Sequence, residues 1–430
     1  MEDGFWIVPT TNTGATTPID LKGEAVLISA PEGWTVTASI DNSNPTTLSV
    51  TPPNQDGAEG IITLQVNKGV YWAIDQIKVR SKKVITSWYQ EFLAGAEIVV
   101  NDVTIKKGSA DDKVLINKEE VDLKVSLISD DNAEIAEDGL YFIGAGLNVT
   151  YKNSQNKNKV LINDSPTGEK PVVTCTNTIT LNGTSLICKN VALKLNENAT
   201  YRFLTINTNN APYVAFDGCN LEVPSTATQN AFCYASTAVA INSFTLHKSK
   251  IKIDKSTEYN IISVGKDNFV NFNSISVENT IFYGNNASTF KLFGVNNGNT
   301  TNAGIGSLVL RNTTFLNMHY AGYGIVNGDI STMIVKNNII YADNNNNNVT
   351  VFRKRGNSSA SLQATDGEVA DNIGYIIGDF YLNLWQGDTP PLENAEKIQK
   401  LDASPFESLD KSTGTYVLKP EYQGYGATIE

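Results

Sequence analysis

Few side chains in this sequence are able to do chemistry, and they are poorly spaced for it. His247 and His319 are its only histidines, so neither a histidine-rich metal site nor histidine-based acid–base catalysis is expected. The acidic pairs Asp111-Asp112 and Asp130-Asp131 could act as paired carboxylates. Each sits in a turn-like segment, however, where solvated turn residues are the stronger expectation. Lys248 follows His247 at a chain corner, and a role as a base stays open there. Cys175, Cys188, Cys219 and Cys233 show no C-x-x-C spacing. They are expected as buried small hydrophobes, with one or two disulfides left open. No Gly-x-Ser-x-Gly elbow, phosphate-cradling loop or dinucleotide fingerprint is present. No catalytic residue, metal ligand or cofactor is therefore assigned.

Carbohydrate recognition remains, since aromatic faces and Asn, Asp or Arg side chains suffice to hold a sugar. Tyr320 and Tyr323 lie in the segment 318–324, Arg353 and Arg355 in the loop one repeat later, and Trp385 just before Gln386-Gly387-Asp388. These five form the candidate carbohydrate-binding set, set against the alternative that they pack loop bases and the tail. The charge balance agrees with such a partner. With 33 Lys+Arg against 45 Asp+Glu, the net charge of −12 opposes nucleic acid or an anionic membrane surface as partner. The basic cluster Arg353-Lys354-Arg355 reads as a solvated loop tip. No run of 18 apolar residues exists to span a bilayer.

The elements that must position these residues are strands. Charged residues make up only 18% of the 430, while Asn alone accounts for 49. That composition favours strands, turns and left-handed corners over amphipathic helices, and the chain reads as all-β. Residues 1–82 alternate short apolar strands with turn clusters, which predicts a small immunoglobulin-like β-sandwich with Trp34 and Trp72 in its core. Ser81-Lys82-Lys83 would be the hinge.

Residues 83–378 carry an internal repeat. Cys188, Phe216, Leu246, Val277, Leu310, Val335 and Val369 recur at steps of 25 to 34 residues. In the full copies an apolar residue stands two positions before each and another five after. Between the two strands lies Asn190, Gly218, Lys248, Asn279, Asn312, Asn337 or Asp371. All but Lys248 are types that tolerate the left-handed conformation, so this position predicts a corner. No helical period lies between the strands, and the steps are too short for propeller blades. A right-handed parallel β-helix fits, with Asn190, Asn279, Asn312 and Asn337 stacked as a side-chain amide ladder. Segments within 96–150 read as less regular coils, residues 89–93 as a short capping helix and residues 379–430 as a C-terminal capping segment. Residues 284–306 and 343–367 read as loops between coils, with Asn344 to Asn348 a flexible one.

The Asn-corner coils from 186 to 374 resemble those of the pectin-lyase-like right-handed β-helix superfamily. Together with Asp402-Ala403-Ser404-Pro405-Phe406 and the closing Tyr425-Gly426-Ala427, they resemble more narrowly the two-part β-helix lipoproteins of polysaccharide-utilisation loci in Gram-negative gut bacteria. The resemblance covers about residues 95–430. It implies a protein at the extracellular face of the outer membrane or in the periplasm, lipid-anchored through an N-terminal segment absent from this sequence. It implies outer-membrane uptake proteins as partners, and it brings no assigned activity. The Arg-x-Pro-x-x-Arg motif of the lyases and the Asp motifs of the hydrolases are absent, and only five Arg occur. The expectation is a monomeric, non-catalytic surface protein that binds or presents a polysaccharide or oligosaccharide. The alternatives are a cryptic polysaccharide lyase, for which Ca²⁺ would be the cofactor, or a glycoside hydrolase, and a structural or adhesive rod.

Overall fold

The computed structural model describes residues 4–10, 16–21, 24–39, 46–68, 70–152, 158–182, 185–195, 202–207, 211–226, 231–235, 239–254, 259–264, 270–284, 290–295, 303–317, 330–343, 349–352, 363–385 and 389–429. The chain divides into two compact units, residues 1–94 with 165–167, and residues 95–164 with 168–430.

In the first unit, apolar residues alternate along short strands, so each strand has one face to bury. The strands Trp6–Thr10, Tyr71–Lys83, Glu59–Lys68 and Glu24–Ser29 make one sheet in that order, and Thr17–Asp20, Thr47–Thr51 and Thr35–Ser39 make the other. Val8, Ile19, Ala25, Trp34, Leu48, Val50, Ile62, Leu64 and Val79 fill the shared core. Helix α1 (Trp88–Leu93) follows, capped by Ser87, whose hydroxyl accepts the Gln90 N–H at 3.2 Å. Buried Glu91 ties the helix to Lys83 at 2.7 Å.

The second unit opens with an antiparallel meander, Ile98–Val100, Val103–Lys107, Lys113–Ile116 and Glu119–Asp122, where irregular coils were expected. Parallel coils begin at Lys124–Ile128. Ten strands from there to Ala364–Ala370 form a first sheet, and eleven from Glu134–Ile135 to Gln399–Lys400 form a second. A third holds the five strands from Ile179–Leu181 to Phe290–Val295. Successive coils add a rung to each sheet, which makes a parallel β-helix. The residues picked out by the repeat are rungs of one column, Cys188 opposite Phe216, then Leu246, Val277, Leu310, Val335 and Val369. All point inward. The interior stacks like on like, as with Phe203 on Phe232 (centroids 4.5 Å) and Phe282 on Phe315 (5.0 Å). All four cysteines are free and buried there, and burial raises their thiol pKa values, that of Cys175 to about 12.

Between first and second sheet the chain turns on a single left-handed residue. Asn190, Gly218, Lys248, Asn279, Asn312, Asn337 and Asp371 all have positive φ. The corner N–H bonds the next coil, for example Asn190 to the Asp217 carbonyl at 2.7 Å and Asn312 to that of Lys336 at 3.0 Å. The side-chain ladder is not where the sequence suggested. No hydrogen bond joins the amides of Asn190, Asn279, Asn312 and Asn337 among the described residues, because the left-handed turn leaves these side chains outside the core. The ladder stands one residue later, at the buried column Ser249, Thr280, Thr313, Asn338 and Asn372. There Asn338 Oδ1 accepts the Thr313 N–H (2.9 Å), and its Nδ2 donates to the Leu310 carbonyl and to Asn372 Oδ1 (both 2.8 Å). These side chains satisfy backbone groups that a one-residue corner strips from the sheets.

The last residues do two things. Leu382, Leu384, Trp385 and Ile398 finish the core at the end of the helix. Residues 402–429 then run back along the outer face of the second sheet. The hairpin Phe406–Asp410/Thr415–Leu418 and the terminal segment bury Ile281, Leu316, Ile339, Tyr341 and Ile373 there. The closing Tyr425-Gly426-Ala427 is the latch. Gly426 has φ +66° and donates to the Asn337 carbonyl at 2.7 Å, and the Ala427 N–H reaches Thr314 Oγ1 at 3.0 Å. A side chain on Gly426 would collide with Thr314 and Ile339.

Two substitutions separate corner from ladder. Lys248→Asn relieves a left-handed lysine and is expected to raise stability by about 1 kcal/mol. Asn338→Ala strands several buried polar groups and is expected to cost about 3 kcal/mol. Thermal and denaturant unfolding of the two variants beside the parent checks both.

Candidate functional site

Of the five candidate sugar-binding residues, Tyr320, Tyr323, Arg353 and Arg355 lie outside the described residues. Trp385 ends the strand Leu382–Trp385, is 7% exposed and packs in the core of the β-helix. Its ring is a packing element and offers no platform to solvent.

The acidic pairs serve turns. Asp111 pairs with Lys107 at 3.1 Å across the turn after Val103–Lys107. Asp131 accepts the Asn148 N–H at 2.7 Å, and that bond holds its carboxyl below the usual range. His247 belongs to the column immediately before the corners, which runs Lys189, Asp217, His247, Glu278, Arg311 and Lys336. Lys189 meets Asp217 at 2.6 Å, His247 Nδ1 lies 3.0 Å from Asp217, Arg311 Nε meets Glu278 at 2.9 Å, and Lys336 meets Glu368 at 2.6 Å. Burial pulls the Asp217 carboxyl upward, yet the donors His247 and Lys189 hold it below the usual range. These contacts link neighbouring coils.

A surface suited to a ligand is on the sandwich. Trp34 is 7% exposed, as expected, but Trp72 is 66% exposed and Tyr71 78%. The register of the hairpin is the reason. Asn67 stands opposite Trp72 and Gln65 opposite Ile74, while Ile62 and Leu64 take the inward alternation. Val26 on the neighbouring strand stands opposite Gln65 and extends the outer face. The Gln65 amide donates to Asn67 Oδ1 at 3.0 Å, so the pair is oriented beside the indole. The result is a flat strip with the Trp72 indole at one end and amide groups along it, whereas Tyr71, opposite Lys68, takes the other alternation at the hairpin tip. Flat aromatic surface combined with hydrogen-bonding amides can hold the apolar face and the hydroxyls of a sugar ring. Sequence reasoning put Trp72 in the core because its strand carries apolar residues on both faces, Trp72 and Ile74 outward and Ile77 and Val79 inward.

A second feature lies on the outer face of the β-helix, where the tail stops covering the second sheet. A cleft of about 250 Å³ opens there between Lys250 and Ile281 on the sheet and Tyr416, Gln423, Ala427 and Thr428 of the tail. Asn220 precedes Lys250 in the same column, and its Oδ1 accepts from Lys170 at 3.1 Å. Burial lowers the pKa of both lysines.

The tail itself is anchored through Asp343. Lys411 of the hairpin reaches its two oxygens at 2.9 and 3.1 Å, Asn317 donates at 2.9 Å and the Tyr341 hydroxyl at 3.0 Å. Burial works against ionisation, and the three donors outweigh it, holding the carboxyl below its usual range. Burial raises Tyr341 to about 12.

Comparison with protein families, curated proteins and solved structures finds no match to this chain.

Because the folded Asp343 carboxyl titrates below its unfolded value, its contribution is complete above about pH 3.9. It is lost as the pH falls through the lowered folded value. Asp343→Asn is therefore expected to loosen the tail at neutral pH, with the difference from the parent shrinking in acid. Melting curves from pH 7 to pH 2.5, read beside protease release of residues 402–430, check this.

Proposed function

We propose that this protein is a non-catalytic glycan-binding protein whose N-terminal sandwich carries the binding strip and whose β-helix is the scaffold. The observation that carries the reading is the outward strip of Trp72, Ile74, Gln65 and Asn67 on one face of the sheet. An isolated exposed aromatic would be ordinary. An exposed indole and Ile74 with an oriented amide pair beside them suit a polar, ring-shaped ligand better than an apolar partner. The net charge of −12 favours a neutral glycan over a strongly anionic one at a surface with no excess of cations of its own.

In this reading the chain belongs to the pectin-lyase-like superfamily and stands with the two-part β-helix lipoproteins of polysaccharide-utilisation loci. It works as a monomer at the outer face of the outer membrane or in the periplasm. There it binds or presents a polysaccharide to outer-membrane uptake proteins. The corner asparagines and the Tyr-Gly-Ala latch support that kinship, since each has a defined structural task in the coils and tail.

Native gels cast with plant and host polysaccharides test it. At least one neutral glycan is expected to retard the protein, and Trp72→Ala is expected to weaken that binding about tenfold, roughly 1.4 kcal/mol. The exposed position of Trp72 means melting temperature stays unchanged. Retardation by no glycan, or undiminished retardation of the variant, overturns the proposal.

A further inference from the structure

The lysines of the β-helix show where charge is left over. Lys189, Lys336 and Lys411 each meet a carboxylate within 3 Å. Lys252, two residues beyond Lys250 on the same strand and face, has Asp254 at 2.9 Å and Glu222 at 3.7 Å. The Lys250 side chain has no hydrogen-bond or ion-pair partner among the described residues, although it is partly buried at the mouth of the cleft. Its neighbour Lys170 spends its hydrogen bond on Asn220 Oδ1, a neutral acceptor, and feels the longer-range attraction of Asp217. Among the described residues the opposite wall is neutral, with Thr415, Tyr416, Gln423 and Thr428 as its polar members. Two cations that repel each other with no carboxylate in contact are unfavourable, and desolvation makes them more so. An acidic protein that pairs so many of its other coil lysines leaves Lys250 lining an open cleft with no carboxylate in contact.

We infer that the cleft beside Lys250 binds a small oxyanion group, a carboxylate or a sulfate ester, with Lys250 as its charge partner and Lys170 in support. A volume of about 250 Å³ lies under the range of roughly 300–1,000 Å³ that encloses drug-sized ligands. The cleft thus takes one small group and not a length of polymer. Ile281 forms an apolar floor that suits the ring carbons of a saccharide bearing the anion. This site is separate from the sandwich strip, and its assignment does not depend on that strip binding anything.

Isothermal titration of the full chain with a hexuronate, a hexose sulfate, the parent neutral hexose and inorganic sulfate tests the inference. Labelling of lysine amines, read by mass spectrometry, runs in parallel. The anionic sugars are expected to bind, to protect Lys250 from labelling, and to bind about tenfold more weakly to Lys250→Gln. The neutral hexose is expected to give no heat. The variant removes an unpaired charge, so its melting temperature stays level or rises, and Trp72→Ala leaves the binding intact. Inorganic sulfate binding as tightly as the hexose sulfate upholds the oxyanion site and assigns it to a free anion instead of a saccharide. Neutral hexose binding as well as the anionic sugars, undiminished binding by Lys250→Gln, or no binding and no protection by any probe overturns it.

Discussion

The structure of the β-helix rests on a turn made by one residue. A parallel coil must leave the first sheet and enter the second without losing register with the coils above and below, and a single left-handed residue does this in the least chain length. The corner N–H then points along the stack and bonds the next coil, so each corner positions its neighbour. Everything inward follows. Once corners superpose, equivalent side chains superpose, and phenylalanine falls on phenylalanine and apolar residue on apolar residue. The outward faces follow too, since ion pairs such as Lys189–Asp217 and Arg311–Glu278 exist only because successive coils bring the same position to the same place.

The cost of so tight a corner is a set of backbone groups that neither sheet can satisfy. The residue after the corner meets that need from inside the core, first with hydroxyls at Ser249, Thr280 and Thr313, then with amides at Asn338 and Asn372. The corner asparagines, freed from that duty, are half-buried outside the core, and one of them serves the tail, since Asn279 Oδ1 accepts the Thr428 N–H at 3.0 Å. The same local geometry thus supports the interior ladder and the docking of the C-terminal segment. Where the docked tail ends, the second sheet changes from an apolar floor at Ile281 to the polar steps Lys250 and Asn220. A ligand-sized gap appears at that boundary because the fold changes there from one kind of packing to another.

The sandwich solves its problem differently. Its two sheets bury one face each, and the remaining face is free to carry side chains that stability does not require. Trp72 and Ile74 occupy that free face. A scaffold that uses its inner face for stability leaves its outer face free to vary without refolding.

Several features were legible in the residues alone. The spacing of Cys188, Phe216, Leu246, Val277, Leu310 and Val335, with Asn or Gly at the corner, determined the coils and their register, because a period-2 strand and a left-handed residue leave local signatures. The three coils before residue 186 and the meander at 98–122 left no such mark. Their connections take several residues, as at 129–133 and 164–171, so the period dissolves while the sheets continue. Which asparagines form the ladder also escaped the sequence. Neighbouring positions both carry asparagine, and only the direction of each side chain in the folded corner tells them apart. The tail's place along the second sheet, the burial of Trp385, the exposure of Trp72 and the unpaired state of Lys250 were settled by contacts between residues far apart in the chain. A sequence records which residues alternate and where the chain can turn. Which face ends up covered, and which charge goes without a partner, depends on what the rest of the chain brings to it in three dimensions.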